Sequence, residues 1–201
     1  ISFPTGVRKA VKSCDITLPS NITLRGAGWE TILKAASGLN SPLIRNSDII
    51  NGNDNIEISN LKLDGNSEGQ TSGDIIYWRN GVTNSRIVNC YICNAYRHGV
   101  WIYGRGTDDN NFFINNTFES CRGGRALYLY KTNKNVVKNN VFKDNLGSDQ
   151  GALFLYKSQY NNITENLFIE NDYAIYLNGC EKNIINHNIV ISNKKIGIGL
   201  Y

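Results

Sequence analysis

Several features are missing from this sequence of 201 residues, and each absence excludes a class of protein. No apolar run approaches the roughly 20 residues that a membrane-spanning helix needs, so we expect no membrane partner. No basic run stands out among the 21 lysines and arginines, which face 17 acidic residues, so we expect no nucleic-acid partner. No window shows a strong helical period, so helix content should be very low. The 41% hydrophobic content nevertheless indicates a folded domain.

Methionine is also absent, and the chain opens at Ile1 in strand-like sequence without a visible targeting segment. We therefore expect a processed protein or a piece of a longer chain. The five cysteines include one Cys-x-x-Cys pair, Cys90 and Cys93, but no second pair and no partnering histidines. No metal site is predicted, and buried free thiols or one disulfide are the expected states.

Asparagine is abundant, with thirty residues, and an internal repeat accounts for it. A segment of one apolar, two variable, one central, one variable and one apolar residue recurs six times. Its centre falls at positions 61, 90, 116, 140, 166 and 188, so the steps are 29, 26, 24, 26 and 22 residues. A second segment, typified by 99–103 and 126–130, alternates apolar and variable residues in phase with the first, which predicts strands with one buried face. Such strands without intervening helices indicate a solenoid with one coil per repeat, stacked at about 4.8 Å.

Stacked coils place equivalent asparagines over one another in columns. The central column contains Asn116, Asn140, Asn166 and Asn188. A second column, five residues later, contains Asn66, Ala95, Cys121, Asn145, Asn171 and Asn193. Asparagine tolerates left-handed backbone at a sharp turn, and stacked amides can bond from coil to coil. We therefore interpret these asparagines as structural.

The repeat resembles the right-handed parallel β-helix family that contains pectate lyases, polygalacturonases, alginate epimerases and phage tailspikes. Leu18–Trp29 and Ile58–Gly65 are similar to coils of that family, and the likeness covers nearly the whole chain. It implies an all-β, single-stranded, right-handed parallel β-helix of about seven coils with 22–29 residues each. We expect one domain over 1–201, with irregular first coils at 1–54 and regular coils at 55–201. Because the pattern stops inside a strand at Tyr201, we also expect another segment or subunit to cap the coil ends.

The second segment leaves two columns of aromatic side chains on the outer face of its sheet. The first column contains Trp101, Tyr128, Phe154 and Tyr176, and the second contains Tyr103, Tyr130 and Tyr156, with Tyr201 as a candidate to extend it. Aromatic faces and tyrosine hydroxyls suit sugars, so these columns are the predicted substrate-binding surface for a polysaccharide. Stacking between coils, or cover by a partner chain, explains the same columns without a ligand.

Charged residues gather in the turn before this strand in neighbouring coils. They are Asp74, Arg97, His98, Arg122, Arg125, Asp149 and Asp172. In a lyase or epimerase of the family that this chain resembles, cations neutralise a uronate carboxylate and a base removes the neighbouring proton. We predict Arg97 and Arg125 as catalytic cations and His98 as the base. Arg122 is a predicted substrate-binding residue, and Asp149 is a further catalytic candidate. Hydrolysis would instead use two facing carboxylates, for which Asp149 and Asp172 are candidates. Asp108 and Asp109 are another candidate pair, but their segment reads more simply as a polar surface loop.

The chain departs from each enzyme of the family. It lacks the Asn-Thr-Asp and Arg-Ile-Lys motifs of polygalacturonases and the Asp-Pro-His motif of alginate epimerases. Pectate lyases use calcium, so calcium is the cofactor that the resemblance implies, although no tight acidic cluster is visible. Two functions remain. One is a carbohydrate-active protein that binds, and cleaves or epimerises, an acidic polysaccharide. The other is a non-catalytic structural or adhesion solenoid whose aromatic face packs on a partner chain. The resemblance implies a secreted protein or one at a cell or virion surface.

Overall fold

A computed structural model describes residues 1–10, 16–106, 109–146 and 151–201. These residues form three parallel β-sheets of eight strands each, wound into a solenoid of about seven turns. The 3-10 helix Ser67–Gly69 is the one helical element in the described part of the chain, where no helix has the length and apolar character to cross a membrane. The prediction of an all-β parallel solenoid is confirmed.

Each full coil contributes one strand to each sheet, and every neighbouring pair is parallel. The strands, in chain order, are β1 (Ser2–Phe3), β2 (Gly6–Ala10), β3 (Ile16–Leu18), β4 (Ile22–Gly26), β5 (Thr31–Ala35), β6 (Ile44–Asn46), β7 (Ile56–Ser59), β8 (Lys62–Asp64), β9 (Ile76–Arg79), β10 (Arg86–Val88), β11 (Tyr91–Cys93), β12 (Val100–Tyr103), β13 (Phe112–Ile114), β14 (Thr117–Glu119), β15 (Leu127–Tyr130), β16 (Val136–Lys138), β17 (Val141–Lys143), β18 (Leu153–Tyr156), β19 (Asn162–Thr164), β20 (Leu167–Ile169), β21 (Tyr173–Asn178), β22 (Ile184–Asn186), β23 (Ile189–Ile191) and β24 (Ile196–Leu200). The first sheet runs from β1 through β4 to β22, the second from β2 through β5 to β23, and the third from β3 through β6 to β24.

The strand register reproduces the repeat. In the first sheet Ile87 pairs with Ile58 on one side and with Phe113 on the other. In the second sheet Phe118 pairs with Phe142, and their rings stack 4.7 Å apart inside the solenoid. These side chains are fully buried and belong to one apolar core that runs through the coils. Removing this apolar surface from water is the main term that stabilises the stack.

Three ladders of asparagine amides tie the coils together at the turns. Within a ladder, the side-chain Oδ1 accepts the backbone N–H of the equivalent residue one coil earlier, as from Asn116 to Asn140 and from Asn140 to Asn166, both at 2.9 Å. The two predicted columns are confirmed as ladders from Asn116 and Asn145 onward. Asn66 is not part of the second ladder, because its φ is 49° and its Nδ2 donates to the Ala35 carbonyl. A third ladder, which the sequence analysis did not identify, contains Asn111, Asn135, Asn161 and Asn183. Since these groups are buried, each bond satisfies a polar atom that would otherwise be costly.

The left-handed backbone expected at the ladder asparagines lies one residue earlier. Asn115, Asn139 and Glu165 have φ values of 56°, 54° and 57°, and each directly precedes a ladder asparagine. One residue therefore turns the chain, and the side-chain amide of the next residue forms hydrogen bonds to the neighbouring coils. That separation explains why non-asparagine residues are tolerated at the turning position.

The described cysteines are free thiols, which confirms one of the two expected states. Cys90 occupies the ladder position one coil before Asn116 and donates its backbone N–H to the Asn116 amide at 2.9 Å. Burial raises the pKa of the Cys90 thiol to about 12, so it remains protonated. Cys14 lies outside the described residues.

Candidate functional site

The outer face of the third sheet carries the two predicted aromatic columns, and the first begins one coil earlier than predicted. The strand register aligns the first column as Tyr77, Trp101, Tyr128, Phe154 and Tyr176. The same register aligns the second column as Tyr103, Tyr130 and Tyr156. These residues point outward because strand side chains alternate, while their apolar neighbours point into the core.

The rings of each column stack on one another along the solenoid. The Tyr130 ring lies 4.7 Å from Tyr103 and 5.2 Å from Tyr156, with interplanar angles of 14° and 12°. Trp101 and Tyr128 stack in the same way, 5.8 Å apart and 5° from parallel. Because the ring faces contact each other, solvent meets ring edges and tyrosine hydroxyls. A ligand along this surface would therefore contact edges and hydroxyls rather than the ring faces that the sequence analysis expected.

Phe154 is a packing residue, which corrects its predicted contact with substrate. Its side chain is only 2% exposed. The ring lies 4.9 Å from Tyr128 and 5.3 Å from Tyr176, and the Arg125 guanidinium lies 4.8 Å from its centre. These neighbours leave no surface for direct contact with a ligand.

Tyr201 ends the first column rather than the second, so the expectation that it extends the second column is wrong. Its ring stacks 4.7 Å from Tyr176 at an interplanar angle of 12°. Gly199 pairs with Tyr176 in the strand register and has no side chain. The ring of Tyr201 occupies the space beside it, only 3.2 Å from where a Cβ of Gly199 would lie.

His98 is buried in the turn before β12. Its Nδ1 accepts a hydrogen bond of 2.9 Å from the backbone N–H of Arg125 in the next coil. The imidazole lies edge-on to Trp101 and Tyr128, with ring centres 5.5 and 5.4 Å away. Glycine is required at position 124, because a Cβ there would lie 2.4 Å from the Nδ1 atom.

The environment of His98 keeps its ring neutral. Burial, with smaller contributions from the charges of Arg125 and Arg97, lowers the pKa of His98 to about 3. Since Nδ1 accepts a hydrogen bond, the network assigns the proton to Nε2. His98 therefore carries its proton on Nε2 and has no free lone pair on Nδ1. This assignment argues against the predicted role of His98 as a general base. An activity measurement tests that role.

Arg97 forms a two-bond ion pair with Asp74. Its Nε lies 2.8 Å from Oδ1 and its Nη2 lies 2.6 Å from Oδ2. The Asp74 carboxylate is fully buried and also accepts the backbone N–H of His98 at 3.1 Å. Burial raises the pKa of Asp74, and Arg97 offsets part of that effect. The guanidinium is also 4.8 Å from the Trp101 ring, so it is held beside the first column.

The other predicted charged residues divide into two groups. Arg125 lies 4.7 Å from the Tyr128 ring, and burial lowers the pKa of its guanidinium. Arg122 instead pairs with the Asp144 carboxylate at 3.2 Å, with its side chain 64% exposed. The structure thus brings Arg97, His98 and Arg125 to the edge of the first column. Asp149 lies outside the described residues, and so does its proposed pairing with Asp172.

A cavity of about 290 Å³ lies at the start of the first column. Its charged and aromatic lining residues are Arg45, Asp74, Tyr77, Arg79 and Arg97. The register places Arg45 beside Tyr77 and Arg79 beside Tyr103, so a guanidinium-bearing residue precedes each aromatic column.

The repeat in the sequence did not predict a site role for Arg45, Tyr77 or Arg79. Arg45 and Tyr77 are register partners 32 positions apart, since 77 minus 45 is 32, and this step exceeds the predicted repeat. The extra residues include the 3-10 helix Ser67–Gly69. The usable signal was the segment Ile75–Arg79, which has the alternation of the later strands.

The described ranges contain no group of three or more histidine, cysteine, aspartate or glutamate side chains placed to hold a metal ion. They therefore offer no acidic set that fits the calcium ion implied by the resemblance.

Comparisons with known proteins agree with the architecture. Residues 49–201 match the family described as right handed beta helix region. None of the curated proteins compared with the chain matches it. ORF18 of Geobacillus virus E2 superposes with a TM-score of 0.63 and 17% identity, over 89% of this chain and 40% of that one.

Two further solved structures share the fold. The catalytic domain of a GH87 α-1,3-glucanase in complex with tetrasaccharides has a TM-score of 0.56 and 20% identity, over 87% of this chain and 34% of that one. The enzymatically active domain of bacteriophage CBA120 tailspike protein 2 has a TM-score of 0.52 and 11% identity, over 94% of this chain and 38% of that one. Likeness at these identities concerns the fold, and the chain spans 40% or less of each structure.

Proposed function

The chain belongs to the family of right-handed β-helix regions, and from this premise we propose that it binds a polysaccharide along the outer face of its third sheet. The observation that carries the proposal is the pair of continuous aromatic columns on that face. From Tyr77 to Tyr176 the first column covers four coil steps, or about 19 Å at about 4.8 Å per step. A straight, repeating surface of this length suits a linear polymer.

The hydroxyls of the second column supply the polar contacts of the proposed surface. Tyr103, Tyr130 and Tyr156 are partly exposed, and their stacking fixes the three rings in one orientation. A phenol hydroxyl both donates and accepts hydrogen bonds, as sugar hydroxyls do. Because the rings are held before a ligand arrives, little side-chain entropy is lost on binding. We assign polymer contact to Trp101, Tyr103, Tyr128, Tyr130, Tyr156 and Tyr176.

Cations flank both columns, and this arrangement favours an acidic polysaccharide. Arg97 and Arg125 lie against the rings of the first column. On the second column, Lys131 and Lys157 lie 5.5 and 5.3 Å from the ring centres of Tyr130 and Tyr156. Hydrogen bonds between these groups and a carboxylate are charge-assisted and stronger than neutral ones.

One of the similar structures supports a glycan ligand, and another supports a virion-surface location. The GH87 α-1,3-glucanase domain is in complex with tetrasaccharides, and the other is an enzymatically active tailspike domain of a bacteriophage. The first is consistent with the same use of the fold here, and the second with a secreted, cell-surface or virion-surface location.

Cleavage or epimerisation is a separate hypothesis. Arg125 is placed to neutralise an acidic group, whereas Arg97 is already paired with Asp74 and the Nδ1 atom of His98 is bonded to the Arg125 backbone. A base for proton removal would have to come from another group.

The proposal is tested with a panel of acidic and neutral polysaccharides, with and without calcium. Binding is measured by retention on each immobilised polymer, and chemistry by ultraviolet absorbance of unsaturated uronates and by reducing ends. Binding that is lost in Trp101→Ala/Tyr128→Ala, with the solenoid still folded, would support the proposal. Lack of binding to every polymer would overturn it. New absorbance would establish a lyase, and reducing ends alone would direct mutagenesis to Asp149 and Asp172.

A structural or adhesion solenoid is the second candidate function, and the ring stacking favours it. Each aromatic contact between coils is worth about 0.5–1.5 kcal/mol, so the columns stabilise the sheet without a ligand. An assembly in which another chain buries this face would establish the second function in place of the first.

A further inference from the structure

The cavity at the start of the first column offers a site that differs from the rest of the aromatic face. Tyr77 is the first ring of the column and has one stacking partner in it, Trp101, at 4.6 Å and 26°. On the other side of Tyr77 the column continues with Arg45, which is not aromatic, and the cavity lies there. Tyr77 is partly exposed and lines this cavity, and no second ring of the column stacks on it from that side among the described residues.

The side chains that line the cavity carry an excess of positive charge. Arg45, Arg79 and Arg97 contribute three guanidinium groups against one carboxylate, Asp74. Asp74 is already bonded through both oxygens to Arg97. The Arg79 side chain is exposed and forms no ion pair with any described residue. Of the three lining guanidinium groups, that of Arg79 is therefore the one placed to hold an anion.

The size of the cavity limits its occupant. A volume of about 290 Å³ lies at the lower end of the range of small-molecule sites, about 300–1,000 Å³. Such a space accommodates one sugar residue. Ser72 and Asn40 also line it, and their side chains are held there by hydrogen bonds from the Ser72 hydroxyl to the Asn40 carbonyl and from the Thr71 backbone N–H to Asn40 Oδ1.

We propose that this cavity is a subsite for a single sugar residue bearing an anionic group, whose ring lies on Tyr77 and whose anion is held by Arg79. The inference rests on the proposed function, because the subsite lies at the head of the surface assigned to the polymer. The shared chemistry is an anion on a pyranose ring, carried by a uronate carboxylate or a sugar phosphate.

The test uses small probes that fit the cavity alone. Glucuronate, galacturonate and glucose 6-phosphate are titrated into the whole chain, with glucose, galactose and inorganic phosphate as references. Arginine Nε and tyrosine ring signals are followed by NMR. We expect at least one anionic sugar to shift the Arg79 and Tyr77 signals. Arg79→Gln should weaken that binding about tenfold, the loss expected for one charge-assisted hydrogen bond. Arg86→Gln is the matched control, because Arg86 is an exposed arginine of the first sheet paired with Glu57.

Each alternative outcome contradicts a named part of the subsite. Equal binding of glucose and glucuronate, or unchanged binding by Arg79→Gln, would overturn the anion contact. Equal binding of inorganic phosphate and glucose 6-phosphate would overturn the ring contact with Tyr77. Binding of no probe would overturn the whole subsite, while retention of a polymer by the same protein would leave the proposed function standing. Probe binding without retention of any polymer would leave the subsite standing and would overturn the proposed function.

Discussion

The Nδ1 atom of His98 and the backbone N–H of Arg125 are joined by a hydrogen bond of 2.9 Å that links two coils at the edge of the aromatic face. The bond needs a neutral imidazole, since a protonated ring has no lone pair left to accept it. The same histidine that the sequence predicts as a base is therefore part of the scaffold that holds Arg125.

His98 should make the stability of the solenoid depend on pH. Its pKa falls from an ordinary value of 6.5 to about 3 in the fold. A lowered folded pKa gives stability that is present above the unfolded pKa and lost as pH decreases toward the folded pKa. Between pH 7 and pH 5 the expected loss is about 2 kcal/mol of unfolding free energy. Urea unfolding of the wild type and His98→Asn at both pH values measures it, since Asn can accept the same bond but does not titrate. An identical pH dependence in both proteins would contradict the assignment.

The asparagine ladders should account for much of the stability of the turns. Asn140→Ala removes an amide that accepts from Asn116 and donates to the Phe113 carbonyl and to Asn166. Because these partners are buried, we expect a loss of about 3 kcal/mol. Asn139→Gly changes the preceding residue, whose φ of 54° suits glycine, and should cost little. Thermal unfolding of the two variants compares the ladder residue with the turning residue. Equal losses of stability would show that the ladder hydrogen bonds are not the main contribution.

The fold could be predicted from the sequence because apolar residues recur at fixed positions within each repeat. Ile87 and Phe113 pair as their repeat positions predict. The third asparagine ladder was not predicted, because Asn111 and Asn135 lie just before strands, outside the segments that were aligned. The sequence pattern also did not predict that the turning residue and the ladder residue are different residues, because this depends on backbone φ angles.

Arg97 should stabilise the fold mainly by compensating Asp74. Arg97→Gln leaves a buried carboxylate without its cation, so unfolding free energy should fall by about 2 kcal/mol at pH 7, a value reduced for the partial exposure of Arg97. Burial raises the pKa of Asp74, and loss of Arg97 should raise it further. The neutral acid is tolerated, so the cost should grow as pH increases above the ordinary aspartate range. Unfolding at pH 4 and pH 7 measures this, and a larger loss at pH 4 would contradict it.

The site was only partly accessible from the sequence. Alternation predicted which side chains face outward, and Trp101 and Tyr128 do so. Alternation carries no information on ring orientation, so the mutual stacking and the burial of Phe154 were not predicted. The cavity depends on Arg45 and Tyr77, whose pairing crosses a longer coil and is not visible in the repeat.

The tyrosine hydroxyls of the second column are proposed to make the main polar contacts with the polymer. The most direct measurement is the affinity of Tyr103→Phe/Tyr130→Phe/Tyr156→Phe for the polysaccharide that the wild type binds most tightly. Phenylalanine retains the stacked rings, so the melting temperature should be unchanged. The control is Tyr160→Phe, which removes an exposed hydroxyl that contacts Lys182 at a turn. We predict affinity at least about tenfold lower in the triple variant and unchanged in the control, because three hydrogen bonds are lost. Unchanged affinity in a folded triple variant would contradict the claim and would indicate that other groups bind the polymer.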